Sequence, residues 1–328
     1  MSFAPSRVLV TGATGFVGRH LLPALRAAFP AAELVPAGRA AGGAAIDGAA
    51  VRAFDLLDAE GIAALVADTR PDACVHLAAL SAVAESFSDP DAVWRANVDG
   101  ARALAAALMR HAPECRLLHA SSGEVYGLSF KDPAPLDEAA PLRPANPYAA
   151  AKAAADIALG EMALRGLRVL RLRPLNHVGP GQTPRFAVAA FARQVALIEA
   201  GKQPPVVRTG ALDRRRDFLD VRDVCDAYAA ALGRADDLPA GTVLNIASGQ
   251  PRLLGDVLAD LLRLAGVDAR VEQEAAALRP TDLMATACSA EAARAALGWS
   301  PRRRWEDTLA GVLEDWRAAA AAAAAPPA

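Results

Sequence analysis

Through its first half the chain alternates short β-branched or apolar runs with longer stretches of helical spacing, and few folds tolerate that rhythm. RVLV (Arg7–Val10), AELVPAG (Ala32–Gly38), VRAF (Val51–Phe54), ACVHLA (Ala73–Ala78), CRLLHAS (Cys115–Ser121) and LRVLRLR (Leu167–Arg173) read as strands. Asp91–His111 and Pro147–Leu164 carry apolar residues at helical spacing. Strands joined by helices make right-handed crossovers, so the expectation is a parallel sheet with helices on both faces. After Arg173 the rhythm breaks. RPLNHVGPGQTPR reads as a loop, Phe186–Ala200 as a helix, PVVR as a short strand and LDRRRD as a basic run. TVLNIASG (Thr242–Gly249) reads as one more strand of the first sheet, so the second half is expected to weave between that sheet and a smaller lobe.

The first strand runs into TGATGFVG, with Gly12, Gly15 and Gly18 at the turn and the opening of a helix. Glycine allows a tight turn and close backbone approach, and a helix N-terminus offers free N–H groups to a diphosphate. An ordinary tight turn would use glycine too, but here the triplet opens a long strand–helix series. The expected fold class is therefore α/β, a Rossmann-type doubly wound parallel sheet with a smaller C-terminal substrate-binding lobe. Residues 1–175 are assigned to a dinucleotide-binding domain and 176–317 mostly to the lobe, leaving an Ala/Pro tail over 318–328 that either extends a helix or frays. The end of the second strand chooses between NAD and NADP, because an acid there takes the ribose hydroxyls and an arginine a 2′-phosphate. The sequence has PAGRAAGG, with Arg39 and no nearby acid, which favours NADP with NAD possible. Asp55 either accepts from the adenine amino group or caps the following helix.

Composition narrows the partners. A formal net charge of −2 over 328 residues marks no nucleic-acid or membrane-surface protein. MSFAPSRVLV enters a strand without a signal-peptide core, and only alanine tracts approach the length of a membrane span, so a cytoplasmic protein is expected. Cys74, Cys115, Cys225 and Cys288 form no CxxC pair and suit buried free thiols. His20, His76, His111, His119 and His177 lack metal-ligand spacing, so no metal is expected.

NPYAAAK places Tyr148 and Lys152 four apart on one helix face. A phenol titrating near ~10 needs help to exchange protons at neutral pH, and an ammonium one turn away favours its ionised form. Ser122 is placed to hydrogen-bond the same substrate oxygen. In the second half, Arg216 and Arg279 offer bidentate donors to a diphosphate, with salt bridges to Asp213, Asp217 or Asp282 as the alternative.

TGATGFVG, HLAA (His76–Ala79), NVDG (Asn97–Gly100), SSGEVYG and YAAAK together resemble the extended short-chain dehydrogenase/reductases, the NAD-dependent epimerase/dehydratase family, over nearly the whole chain. RPLNHVGPGQTPRF, ARQVALIEAGKQPPVV, RRRDFLDVRDV and LRPTDL further resemble the GDP-4-keto-6-deoxymannose reductases, which form GDP-rhamnose. The resemblance implies an enzyme in which Tyr148 is the acid/base, Lys152 holds the nicotinamide ribose and Ser122 is the catalytic hydroxyl. It implies cofactor contacts from Gly12, Thr14, Gly15, Phe16, Val17, Gly18, Arg39, Asp55, Leu56, Leu77, Ala78, Ala79, Asn97 and Leu175, with Asn97 supporting the active-site helix. Ser81, Ser122, Glu124, Asn176, Arg185, Arg216 and Arg279 are implied at a GDP-sugar, and a homodimer through the Asp91–His111 and Pro147–Leu164 helices. Related 4,6-dehydratases carry Thr-x-Glu where this chain has Ser122, Gly123 and Glu124. Glu124 still stands where a dehydratase base would, so dehydratase and 4-epimerase readings remain beside the reductase, and an idle cofactor-binding sensor is the non-enzyme alternative.

Overall fold

The computed structural model describes residues 2–39, 45–132, 134–274 and 283–322. Strand β1 (Arg7–Thr11) leads into helix α1 (Phe16–Ala28) and β2 (Glu33–Gly38). A small hairpin, β3 (Ala45–Ile46) and β4 (Ala49–Ala50), precedes β5 (Arg52–Ala53), α2 (Ala59–Thr69) and β6 (Ala73–His76). Then come α3 (Val83–Ser86), α4 (Pro90–Trp94), a π turn over Arg95–Asp99 and α5 (Gly100–His111), so the expected Asp91–His111 helix is continuous but widened in its middle. Next are β7 (Arg116–Ala120), a kinked 3₁₀ segment over Gly123–Lys131, α6 (Pro147–Leu164) and β8 (Val169–Pro174).

Alternation along the strands explains the two helical layers. In β1, Val8 and Val10 enter one core with Leu21, Leu22 and Leu25 of α1, whereas Leu9 enters another with Ile62 of α2, Leu104 of α5 and Leu159 of α6. Leu118 and Leu117 of β7 divide in the same way. A strand buried on both faces has no polar side, which is why these runs read as unbroken apolar stretches. The sheet order is β12-β8-β7-β6-β1-β2-β5, where β12 (Val243–Ile246) is the returning strand expected near TVLNIASG, and its pairings are parallel. The chain reverses its direction of travel across the sheet between β1 and β6. In open α/β sheets that crevice is where ligands bind.

The second half interleaves with this sheet rather than following it. Strand β9 (Asn176–Val178) and β11 (Arg215–Asp220) pair in a small sheet with β13 (Pro251–Leu253) and β15 (Ala285–Thr286), and β10 (Val206–Thr209) pairs with β14 (Arg270–Gln273). Helices α7 (Ala187–Glu199), α9 (Leu254–Ala265) and α11 (Trp305–Ala322) enclose a separate apolar core of Phe191, Val195, Leu258, Trp305 and Leu309. Helix α8 (Val221–Gly233) instead packs on α1, and α10 (Glu291–Leu297) lies beside β12, so both belong to the core on the α1 face of the seven-stranded sheet. The last residues of the basic run form the start of β11, where Arg215 is exposed, Arg216 half-buried and the following residues buried. Helix α11 extends into the alanine tract as far as Ala322, and the remaining tail residues lie outside the described ones.

Candidate active site

The glycine turn is built by close approach. Gly12 has φ +74°, and a methyl there would sit 2.7 Å from the Ala78 backbone nitrogen. A methyl at Gly18 would lie 2.5 Å from Ala13, so α1 packs directly on the turn. Gly15 caps α1 without a side-chain hydrogen bond, and the first turn holds no acid. The N–H groups around Phe16, Val17 and Gly18 are thus left for an anion, the arrangement a dinucleotide diphosphate requires. By contrast α2, α4, α6 and α8 are capped by Asp58, Asp89, Asn146 and Asp220.

Around this turn, Leu77 N–H donates to Thr11 O at 3.1 Å, and Thr14 packs over Gly38 at the end of β2. Arg39 follows β2 directly and is exposed. Asp55 is exposed and accepts from Leu57 N–H at 2.9 Å; the α2 cap is Asp58, three residues later, because that carboxylate reaches Gly61 N–H. Leu56 lies against Gly100 and Leu175 against Gly123, while Ala79 is half-buried. Asn97, on the π turn, accepts from Leu80 N–H at 2.8 Å and donates to Leu80 O at 2.9 Å, fixing the chain that leaves β6. The π turn itself packs against α6.

Helix α6 carries the expected acid/base pair, Tyr148 and Lys152. Asn146 starts it, accepting from Ala149 N–H at 2.8 Å, and Pro147 follows at a position that needs no N–H. Tyr148 and Lys152 then lie one turn apart and both are buried. Lys152 Nζ donates to Ala120 O at 2.7 Å, tying the helix to the end of β7. Ser122 opens the 3₁₀ segment, accepts from Glu124 N–H at 3.1 Å and is a hydrogen-bonding neighbour of the Tyr148 phenol. Glu124 Oε2 accepts from Asn146 Nδ2 at 3.3 Å. One asparagine therefore both caps the helix and holds the carboxylate, a role the sequence reading missed although Asn-Pro at a helix start signals it.

Burial pushes the Tyr148 phenol up to about 12; Ser122 pulls it down and the Glu124 carboxylate adds to the rise. Desolvation of the ring oxygen is the largest of these effects, and the net rise runs against the expected ionisation of the phenol. Burial brings Lys152 down to about 8, opposed by the Asp156 carboxylate. Beneath them His76 accepts or donates at 2.7 Å with the Thr11 hydroxyl, and burial, then Lys152, brings it to about 3. His119 stacks 5.5 Å from His76, with neither ring nitrogen hydrogen-bonded, and burial holds it well below the usual imidazole range.

The expected substrate residues are more scattered. Ser81 is exposed just after β6, and Asn176 is half-buried at the start of β9. Arg185 pairs with Glu85 at 2.7 Å in an exposed bridge, which ties the loop after β9 to α3. Arg216 Nη1 donates to Arg215 O and Leu283 O at 2.9 and 2.8 Å. Of its expected acidic neighbours, Asp213 pairs with Arg214, and Asp217 accepts from Ser248 and Gly249. Arg279 and Asp282 lie outside the described residues. Among the described residues no group of three or more His, Cys, Asp or Glu is arranged to hold a metal.

Residues 8–247 match the NAD dependent epimerase/dehydratase family. The chain belongs to that family. It is 34% identical to GDP-6-deoxy-D-mannose reductase of Pseudomonas aeruginosa, over 94% of this chain and 97% of the relative. It is 32% identical to UDP-glucose 4-epimerase of Mycolicibacterium smegmatis, over 95% and 98%. Its fold superposes on the structure of RMD from Pseudomonas aeruginosa complexed with NADPH with a TM-score of 0.83 at 33% identity, covering 96% of this chain and 99% of the other. The glycine turn, Tyr148 and Lys152 are thus placed in a family of NAD(P)-dependent nucleotide-sugar enzymes.

Proposed function

We propose that the protein reduces the C4 ketone of a GDP-4-keto-6-deoxy sugar, GDP-4-keto-6-deoxymannose or a close analogue, with NADPH. The observation that carries this is the setting of Tyr148, buried beside Ser122 and one helical turn from Lys152. A reductase needs a proton donor at the ketone oxygen, and a buried phenol raised to about 12 keeps its proton at neutral pH. The NADPH bound to the similar reductase structure and the GDP-6-deoxymannose substrate in that relative's name support the choice of cofactor and substrate.

The cofactor's diphosphate is assigned to the free N–H groups of α1, and its 2′-phosphate to Arg39. Bound there, NADPH supplies hydride. Tyr148 gives its proton to the C4 oxygen, Ser122 hydrogen-bonds that oxygen, and Lys152 orients the nicotinamide ribose. Glu124, held by Asn146, orients a sugar hydroxyl. Arg216 and Arg279 are assigned to the diphosphate of the sugar nucleotide, with Asn176, Ser81 and Arg185 along the sugar side. Residues 1–175 with β12 and α8 form the nucleotide domain, and the lobe around α7, α9 and α11 receives the sugar nucleotide.

A homodimer is assigned to the α4–α5 and α6 face, where Trp94, Ile157 and Leu164 are 47%, 59% and 89% exposed. No helix among the described residues is long and apolar enough to cross a membrane, and four free cysteines suit a reducing cytoplasm.

A 4,6-dehydratase is the second reading, because Glu124 lies close enough to Tyr148 to act on its titration. A dehydratase must remove the C5 proton; a C4 reductase leaves it in place. Incubation with GDP-mannose deuterated at C5 is expected to release no label. Steady washout, abolished by Glu124→Gln, would make the carboxylate a base and the protein a dehydratase.

A further inference from the structure

Behind the reacting pair lies a charge cluster that the proposed chemistry does not use. Asp156 follows Lys152 by four residues, so Tyr148, Lys152 and Asp156 stand at successive turns of one face of α6. Its side chain is fully buried, yet four donors reach it. Ser121 Oγ donates to Oδ2 at 2.6 Å, and Arg173 forks across the carboxylate, Nε to Oδ2 at 3.0 Å and Nη2 to Oδ1 at 2.9 Å. Arg171 Nη1 donates to Oδ1 at 3.0 Å and to the Asp156 backbone carbonyl at 2.9 Å. Arg173 continues to the Tyr126 hydroxyl at 3.0 Å, which donates to Asn245 Oδ1 at 2.7 Å.

The geometry makes this cluster a clasp. The end of β7 holds α6 twice, through Ala120 O on Lys152 and through Ser121 on Asp156, and the next residue is Ser122. It is also lopsided in charge: one buried carboxylate is paired with two guanidinium groups, with the Lys152 ammonium one helical turn away. The other titratable groups around Lys152 do not supply a balancing anion. His76 of β6 and His119 of β7 are buried imidazoles, Tyr148 is a phenol, and Glu124 of the 3₁₀ segment acts on Tyr148.

We propose that Asp156 is a positioning residue for the reacting pair: its carboxylate, fixed by Ser121, Arg171 and Arg173, keeps Lys152 charged and sets the register of α6 against the end of β7. The Coulomb attraction of Asp156 opposes the desolvation of Lys152, which agrees with this role. A buried ion pair often adds little net stability, so a role in setting a neighbour's charge is a better account of its presence.

The chain has three lysines, Lys131, Lys152 and Lys202, so lysine labelled with ¹³C at Cε gives a spectrum simple enough to titrate, with Lys152→Met identifying the signal. In Asp156→Asn the Lys152 midpoint should fall by roughly one pH unit or more, a tenfold change in its proton affinity. Arg171→Gln removes a cation that competes for the same carboxylate and should move the midpoint the other way. Asp156→Glu, which keeps the charge, should stay near the parent. A midpoint unmoved by Asp156→Asn, or the same displacement from both charge changes, would leave Asp156 a purely structural anchor. If Asp156→Asn does not fold, the Arg171→Gln titration decides alone, and an unmoved midpoint there overturns the proposal. These titrations need neither substrate nor turnover, so their failure is distinct from failure of the reductase reading on which the role of Lys152 rests. In turnover assays Asp156→Glu should recover activity that Asp156→Asn loses.

Discussion

At the scale of single residues, burial rather than any one charge sets the chemistry. The chain contains three tyrosines, and burial raises all of them: Tyr126 and Tyr148 to about 12, and Tyr228 beyond that. An ultraviolet titration of the folded protein should therefore show no tyrosinate below about pH 11; a tyrosine ionising near its free value, ~10, would contradict the desolvated phenol. Tyr148→Phe keeps the ring and removes the proton donor. General acid catalysis contributes about 10²–10⁴-fold, so turnover should fall by that order with NADPH binding retained. The proposed cofactor preference rests on Arg39. A charge-assisted contact is worth roughly 1.5–3 kcal/mol, so NADPH should bind about tenfold or more tighter than NADH, and Arg39→Ala should narrow the gap. Equal affinities in the parent protein would remove Arg39 from the site. The glycine turn, Tyr148 and Lys152 were legible in the sequence because each depends on local spacing. The direction of the tyrosine shift was not, since it depends on how completely the fold excludes water.

At the scale of elements, α6 was readable from end to end because Asn146 and Pro147 announce its start and helix-favouring residues, mostly alanine, continue to Leu164. Its ion cluster was hidden. Asp156 looks like any helix acid, and its partners Arg171 and Arg173 come from β8, where strand arginines read as solvent-facing. Breaking a buried pair typically costs about 3–5 kcal/mol, so Arg173→Met should lower the unfolding free energy by that order, measured by denaturant titration. Lys152 gives a signed pH dependence. Its folded value lies near 8, below the usual 10.5, so between these two the unfolded chain binds more protons and stability from this group rises with pH. Lys152→Met should consequently be the more stable protein at pH 7, with its advantage shrinking as pH climbs from 8 toward 10.5. An advantage that grows over that window would contradict a depressed lysine.

At the scale of the whole molecule, the parallel sheet places the glycine turn after β1 and the Ala78 backbone after β6 on either side of the reversal, and β7 and α6 bring Ser122, Tyr148 and Lys152 together beyond it. The first half of this plan follows from alternation alone. Of the second half, the return of β12 was legible in TVLNIASG, whereas the packing of α8 on the first core and a strand β11 that begins inside the basic run were not. The exposed Ile157 and Leu164 stand seven apart on one face of α6, an apolar stripe suited to a second copy. If the proposed dimer uses this face, Ile157→Asp should halve the mass measured by analytical ultracentrifugation; an unchanged mass would remove this face as the contact. The central claim is tested most directly by mixing the purified protein with GDP-4-keto-6-deoxymannose and NADPH and following the nicotinamide absorbance with the sugar product. The account predicts oxidation of one NADPH for each ketone converted to a 6-deoxy sugar alcohol at C4. NADPH left unoxidised while the ketone persists, or is converted without it, would contradict the assignment.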